Sequence, residues 1–259
     1  MDANIPKDHP RHRSLVTRER LKDAMRRGLV HETGLVAHGR GEAFDYLLGE
    51  QTVPEAHEAA RVAAAALLTA KRPCVSLNGN VVALAAASCV DLAKTTDAAL
   101  EVNLFHRTEE RVAKLVAEVQ KVADGVTVLG LHPDARIPGL SSDRALCSTK
   151  GLYGADTVLV PLEDGDRCEA LKRMGKLVVA IDLNPLSRTA QAADVTLVDE
   201  VTRAVPLVAK AARELRGTPP DDLRLVVKGW DNRANLGRVL HRIARRLDQL
   251  GDRSPVDPG

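Results

Sequence analysis

The chain has 259 residues, of which 44% are hydrophobic, enough to bury a full core as one large domain or one domain with extensions. Lys and Arg number 37 against 35 Asp and Glu, and a net charge of +2 gives no general reason to expect nucleic acid as a partner. The aromatics are Phe44, Tyr46, Phe105, Tyr153 and Trp230, and none is interleaved with a basic stripe as a base-stacking platform would require.

The chain opens with no apolar stretch of the signal-peptide kind, and no run approaches the roughly 20 apolar residues of a membrane span, so a cytoplasmic protein off the membrane is expected. Cys74, Cys89, Cys147 and Cys168 lie 15, 58 and 21 residues apart. That matches no zinc or redox spacing and predicts reduced, buried thiols. There is no internal repeat and no low-complexity segment.

In chain order, residues Ser14 to Gly28 form a basic helical pattern in which Arg18, Arg20, Lys22, Arg26 and Arg27 outnumber Glu19 and Asp23. Next comes the polar cluster Ala37 to Tyr46, where Gly39 and Gly41 bracket Arg40. The expectation there is a tight turn that aims the guanidinium at a phosphate. The segment lacks the third glycine of a dinucleotide fingerprint, and the chain carries no P-loop, no His-Glu-x-x-His zinc motif and no nucleophile elbow.

From residue 54 the pattern alternates. Candidate strands are Pro73–Asn78, Leu100–Asn103, Gly125–Leu131, Asp156–Leu162, Leu177–Asp182 and Val195–Val198. Candidate helices are Pro54–Ala70, Val81–Lys94, Thr108–Ala123, Asp166–Met174, Leu186–Ala192 and Thr202–Leu215. Near-continuous apolar strands alternating with helices predict an α/β protein, a Rossmann-like doubly wound parallel sheet with N-terminal and C-terminal helical extensions. Gly217-Thr-Pro-Pro220 then punctuates the chain before a short strand at Leu223–Val227 and a last helix at Asn232–Leu250. Arg238, Arg242, Arg245 and Arg246 on that helix read as a solvated face opposite an apolar stripe. The organisation expected is one domain over 1–259: a helical, Gly-Arg-Gly segment at 1–50, the core at 54–215, the extension at 216–250, and a disordered tail from about Asp252.

Ligands of a doubly wound sheet bind beyond the carboxyl ends of its strands, so the residues after each strand carry the functional reading. Asn78-Gly79-Asn80 offers a close backbone approach and a helix start for a phosphate. Glu101 to Glu110 is polar, with Thr108 as a helix cap. His132-Pro-Asp134-Ala-Arg136-Ile-Pro-Gly139 is a proline-rich loop fixing an acid, a base and a histidine. Glu163, Asp164 and Asp166 either hold Mg²⁺ through waters or complement a helix dipole. Asp182, Asn184, Ser187, Arg188 and Thr189 follow the fifth strand, either as a site for a phosphorylated or polyhydroxylated ligand or as an ordinary turn capped by Ser187. Asp199-Glu200 ends the sixth.

Five blocks carry a resemblance: His38 to Gly49, Val102 to Arg111, Pro133 to Leu140, Val160 to Arg167, and Ile181 to Thr189. Together they resemble the archaeal phosphopantothenate synthetases, also called 4-phosphopantoate–β-alanine ligases, and the likeness runs over roughly residues 5 to 250. The resemblance implies a homodimeric, Rossmann-like enzyme of coenzyme A biosynthesis that condenses 4-phosphopantoate with β-alanine, using ATP with Mg²⁺ and releasing AMP and pyrophosphate. Carried over by motif, its ATP contacts fall on Arg18, Arg40, Asp182, Leu183, Asn184, Arg188, Thr189, Asp199 and Glu200. Where the family often has Asp-Asn, this chain has Asp199-Glu200.

Arg18, Arg40 and His38 are the catalytic candidates, the arginines for phosphoryl charge. His38, His132 and Glu42 are the candidates for deprotonating the amine. Asn78-Gly79-Asn80 or Arg136 is the candidate cradle for the phosphate of phosphopantoate, and Asp134 is a further substrate-binding candidate. Two other classes stay open at this point: a non-catalytic nucleotide or sugar-phosphate-binding module, and a kinase acting on pantoate or a similar alcohol.

Overall fold

The structure is a computed structural model that describes residues 5–141 and 143–252. Three helices precede the sheet: α1 (His12–Arg26), α2 (Glu32–Leu48) and α3 (Pro54–Thr69). The alternation then runs β1 (Pro73–Leu77), α4 (Gly79–Thr96), β2 (Ala99–Val102), α5 (Glu109–Ala123) and β3 (Val128–Leu129). A ribbon of β4 (Ala135–Arg136) and β5 (Leu146–Cys147), followed by a distorted turn at Thr149–Tyr153, interrupts it. It resumes with β6 (Thr157–Pro161), α6 (Gly165–Arg173), β7 (Leu177–Ile181), α7 (Arg188–Ala192), β8 (Val195–Leu197) and α8 (Val201–Leu215). Helices α9 (Pro220–Lys228) and α10 (Asn232–Gly251) follow.

The main sheet has six parallel strands in the order β3-β2-β1-β6-β7-β8, the doubly wound arrangement expected from the sequence. β1 and β6 are neighbours, with Cys74 beside Val158 and Val75 beside Leu159, although the β2–β3 half of the chain lies between them. Their carboxyl ends therefore flank the topological switch point.

Alternation along the strands divides the core. Val75, Leu77, Leu100, Val102, Leu159, Val179 and Ile181 face a layer built with α3, α4, α5 and α8. Cys74, Val158, Val160, Val178 and Ala180 face Cys168, Ala170 and Leu171 of α6 and Cys147 of the ribbon. Both faces are covered, which is why the strands read as continuous apolar runs. All four cysteines are free and buried, and burial pushes the Cys89, Cys147 and Cys168 thiols up to about 12.

Three local expectations are corrected. Residues 223–227 form part of α9, not a strand, because Pro220 starts the helix, Asp221 and Asp222 favour its first turn, and Leu223, Val226 and Val227 make one helical stripe on the core. The Gly39-Arg40-Gly41 segment is no turn: it lies inside α2, which His31 caps and Gly49 ends at φ 85°. The expected strand 125–131 is reduced to Val128–Leu129, since Gly125 and Gly130 take φ of 84° and 114°. A Cβ on Gly130 would lie 2.3 Å from the Val102 carbonyl oxygen.

The arginine face of α10 also does more than meet solvent. Arg242 donates to the buried Glu55 on α3 at 2.7 Å, and Arg238 pairs with Glu58. From residue 253 the expected tail lies outside the described residues. Among the described residues no helix is long and apolar enough to cross a membrane.

Candidate active site

A cleft of about 1040 Å³ opens over the carboxyl edge of the sheet, with α2 crossing above it. Its floor is the switch point. Asn78 caps α4 by accepting from the Val81 N–H at 3.1 Å, and its Nδ2 donates to the carbonyls of Pro161 and Leu162 at 3.1 and 2.9 Å. One side chain thus joins the end of β1 to the end of β6. Gly79 must be glycine because a Cβ would come 2.5 Å from the Leu29 carbonyl oxygen. Asn80 donates to Gly34 of α2 at 2.8 Å, and Gly34 is itself held small by Asn80. These three residues line the cleft, but both asparagine side chains are engaged by protein, so what they present to an anion is the helix start.

On the β7–β8 side, Asp182 accepts from the Asn184 N–H at 2.9 Å and from the Ser187 hydroxyl. Asn184 accepts from the Leu186 N–H, and Ser187 caps α7 through the Ala190 N–H, both at 2.9 Å. The loop is therefore preformed by its own short polar side chains. Burial raises the Asp182 carboxyl pKa, while Arg40 across the cleft pulls the other way. Helix α2 passes close above, with Gly41 placed so that a Cβ would touch Leu183 at 3.6 Å. Thr189 is buried and donates to the Glu163 carbonyl at 2.6 Å, whereas the exposed Arg188 pairs with Glu169 at 2.9 Å. Glu200 lines the cleft and caps α8, and burial raises its pKa.

On the β1–β2–β6 side the charges pair with one another. Glu163 meets the buried Arg167 at 2.9 Å, and Arg167 also donates to Ser76 on β1 at 3.4 Å. Arg144 pairs with Asp166, lies 3.8 Å from Asp164, and stacks 4.8 Å from the Phe105 ring centroid. Arg111 donates to the carbonyls of Leu29 and His106 at 3.2 and 2.9 Å.

The acidic trio expected for Mg²⁺ is thus drawn to arginines. Among the described residues no group of three or more His, Cys, Asp or Glu side chains is placed to hold a metal. The residues do not fit a protein-held ion.

Of the residues singled out from the sequence, His38, Arg40, Asn78, Gly79, Asn80, Glu163, Asp164, Asp166, Asp182, Leu183, Asn184, Arg188, Thr189 and Glu200 all line this cleft. Others do not. Arg18 is held by Glu42 in a pair of 2.7 Å, with Tyr46 beside it, tying α1 to α2. Asp199 is fully buried and bonded to Thr52 and Arg203, both at 2.6 Å, and Arg203 reaches Asp45 of α2. Its visible work is to fasten α2 over the sheet. Asp134 caps the Thr149 N–H at 2.6 Å beside the ribbon, and Arg136 is on the ribbon itself; neither they nor His132 line the cleft.

His38 does line it, half-buried, with Nε2 lacking a partner among the described residues, and burial lowers its pKa. Sequence reasoning does not reach Arg144, whose only signal is a cation shortly before a two-residue strand.

The doubly wound sheet and the polar cleft at its switch point define a Rossmann-like α/β enzyme. The model of the phosphopantothenate/pantothenate synthetase family matches residues 55–246. Curated relatives include proteins of Thermococcus kodakarensis, 49% identical, Thermococcus onnurineus, 48%, and Methanosarcina mazei, 49%. Each is aligned over 96% of this chain and 96–97% of its own, and each is named 4-phosphopantoate–β-alanine ligase. The chain belongs to the phosphopantothenate/pantothenate synthetase family and is a ligase.

Proposed function

We propose that the protein condenses 4-phosphopantoate with β-alanine at the expense of ATP, giving 4′-phosphopantothenate, AMP and pyrophosphate, as a cytoplasmic homodimer in coenzyme A biosynthesis. The observation that supports this most is one cleft with two unlike ends, a preformed polar loop facing Arg40 and a wall where Arg111 stands with Arg144 and Arg167 and the Asp166 and Glu163 they pair with. The first suits a nucleotide and the second suits an anionic acid.

A carboxylate is too poor an electrophile to meet an amine directly. In this reading a carboxylate oxygen of 4-phosphopantoate attacks the α-phosphorus of ATP, and pyrophosphate leaves with the electrons of the broken P–O bond. Arg40 stabilises the charge that gathers on the phosphoryl oxygens, while Asp182 and Asn184 orient the nucleotide. The amine of β-alanine then forms the C–N bond, the acyl C–O bond breaks, and AMP departs. Free β-alanine is an ammonium with a pKa near that of lysine, about 10, so one proton must leave before attack. His38 is the base assigned to it, since burial keeps its imidazole neutral and Nε2 has no partner among the described residues.

The test is to incubate the pure protein with ATP, Mg²⁺, 4-phosphopantoate and β-alanine, omitting each in turn. AMP and pyrophosphate that require every substrate are expected. ADP would indicate a kinase, and binding of ATP without turnover a sensor. Light scattering after size exclusion checks the dimer, with a mass of about one chain as the contrary result.

A further inference from the structure

We propose that Asn103 receives the amine of β-alanine through its side-chain oxygen, an assignment that rests on the ligase reading above. Asn103 stands directly after β2. Its backbone N–H donates to the carbonyl of Leu77, the last residue of β1, at 2.9 Å, so it sits one strand from the switch point. Its side chain lies on the α6 side of the sheet, like that of Glu101 two residues before, and the two strap β5 and the turn after it onto the end of β2. Glu101 accepts from the N–H groups of Ser148 and Leu152 at 2.7 and 2.6 Å, and Asn103 donates from Nδ2 to the Leu146 carbonyl at 2.7 Å.

That last bond fixes the amide. A carbonyl can only accept, so Nδ2 must face Leu146 and the other atom must be the oxygen. Asn103 is 1% exposed and lines the cleft, and its Oδ1 has no hydrogen-bond partner among the described residues. A buried acceptor without a protein partner in a binding cleft calls for a donor on the ligand.

Phosphates and carboxylates cannot supply it, because their oxygens also accept and would be repelled. On the same wall Arg167 and Arg144 are already paired with Glu163 and Asp166, so the acceptor left without a partner there, among the described residues, is the Asn103 oxygen. Among the proposed substrates the amine is the richest donor. A neutral amide also suits a nucleophile better than a carboxylate would. An anion would bind the ammonium and raise its pKa, whereas an amide oxygen orients an N–H and leaves the lone pair to attack.

The experiment separates the two half-reactions in wild type, Asn103→Ala and Asn103→Asp. ATP–pyrophosphate exchange is measured with 4-phosphopantoate and no β-alanine, and complete turnover is measured against β-alanine concentration over a range of pH. For Asn103→Ala, kcat/KM for β-alanine should fall about tenfold or more while exchange changes less than about threefold. Asn103→Asp keeps the shape and the acceptor, reports even if the alanine variant is unstable, and should shift the β-alanine step to higher pH. Exchange falling in parallel with turnover would overturn the assignment, since Asn103 would then serve the hydroxyl of phosphopantoate, the nucleotide or the fold; so would unchanged kinetics. Wild-type protein that makes no phosphopantothenate at all would instead overturn the ligase reading, and this assignment with it.

Discussion

On the β7–β8 side of the cleft Asp182, Asn184 and Ser187 are bonded within their own loop, over the nine residues from Asp182 to Ala190. On the β1–β2–β6 side they come from segments far apart in the chain, Asn103, Phe105, Arg144 and Glu163 with Arg167, and they hold one another by ion pairs and stacking. The first side is local and is shaped before anything binds. The second exists only once β1, β2, β6 and the ribbon have come together. On the reading proposed above the first takes the nucleotide and the second the acid, and a side preformed by short-range bonds should respond to substitution differently from one assembled by long-range ones.

The largest effect is expected where the two are tied together. Arg203 links Asp45 on α2 to Asp199, which is 0% exposed, so Arg203→Ala would strand a buried carboxylate. Urea unfolding should register a loss of about 3–5 kcal/mol. Retained stability would mean that α2 is held over the cleft by something else.

Arg40→Ala should sharpen the contrast from the other side. If Arg40 acts on the transition state, kcat falls by about two orders of magnitude, roughly 2.7 kcal/mol. The self-bonded loop beneath it should keep its shape, so stability should move by less than about 0.5 kcal/mol. Near wild-type kcat removes Arg40 from the chemistry.

Gly79→Ala probes the assembled side. The new methyl would press on the Leu29 carbonyl, and thermal or urea unfolding should report a loss of about 1–3 kcal/mol. An unchanged midpoint would show that the approach of Leu29 to α4 is loose.

The smallest effect concerns pH. Burial holds the folded-state pKa of His38 below the usual value of about 6.5. Below that value the unfolded chain takes up the proton first, so the contribution of His38 to stability is full above about pH 6.5 and is lost as the pH falls toward the folded-state pKa. Urea midpoints of wild type and His38→Gln at pH 7.5 and 5.5 check this: the wild type should lose more on acidification. Equal losses would contradict a desolvated imidazole.

The same contrast explains what could be read from the sequence. The six strands of the sheet and most helices are written in local periodicity, and so is the Asp182 to Thr189 loop, since a polar run after an apolar strand is visible without a fold. Asn103 and Arg167 stand in polar stretches after their strands, but nothing local says that one keeps a buried acceptor without a partner or that the other is sequestered by Glu163. Arg144 gains its place only through the pairing of β4 with β5. The errors have the same origin. Leu223–Val227 is short and holds two β-branched residues, and packing on α3 adds to the helix start at Pro220 to decide for a helix. Gly39 and Gly41 suggest a turn, but both lie inside α2, and the glycine that lets this helix pass close over Asn80 is Gly34. Asp199 sits at a strand end, and its buried bonds to Arg203 and Thr52 come from residues that no local pattern links to it.

The most direct measurement follows an oxygen atom. 4-Phosphopantoate labelled with ¹⁸O in its carboxylate is turned over with ATP and β-alanine, and the products are examined by mass spectrometry. Attack of that carboxylate on the α-phosphorus followed by acyl C–O cleavage must leave one ¹⁸O in AMP, and this is the result expected. AMP free of label, or label appearing in inorganic phosphate alongside ADP, would contradict an acyl-adenylate formed in this cleft.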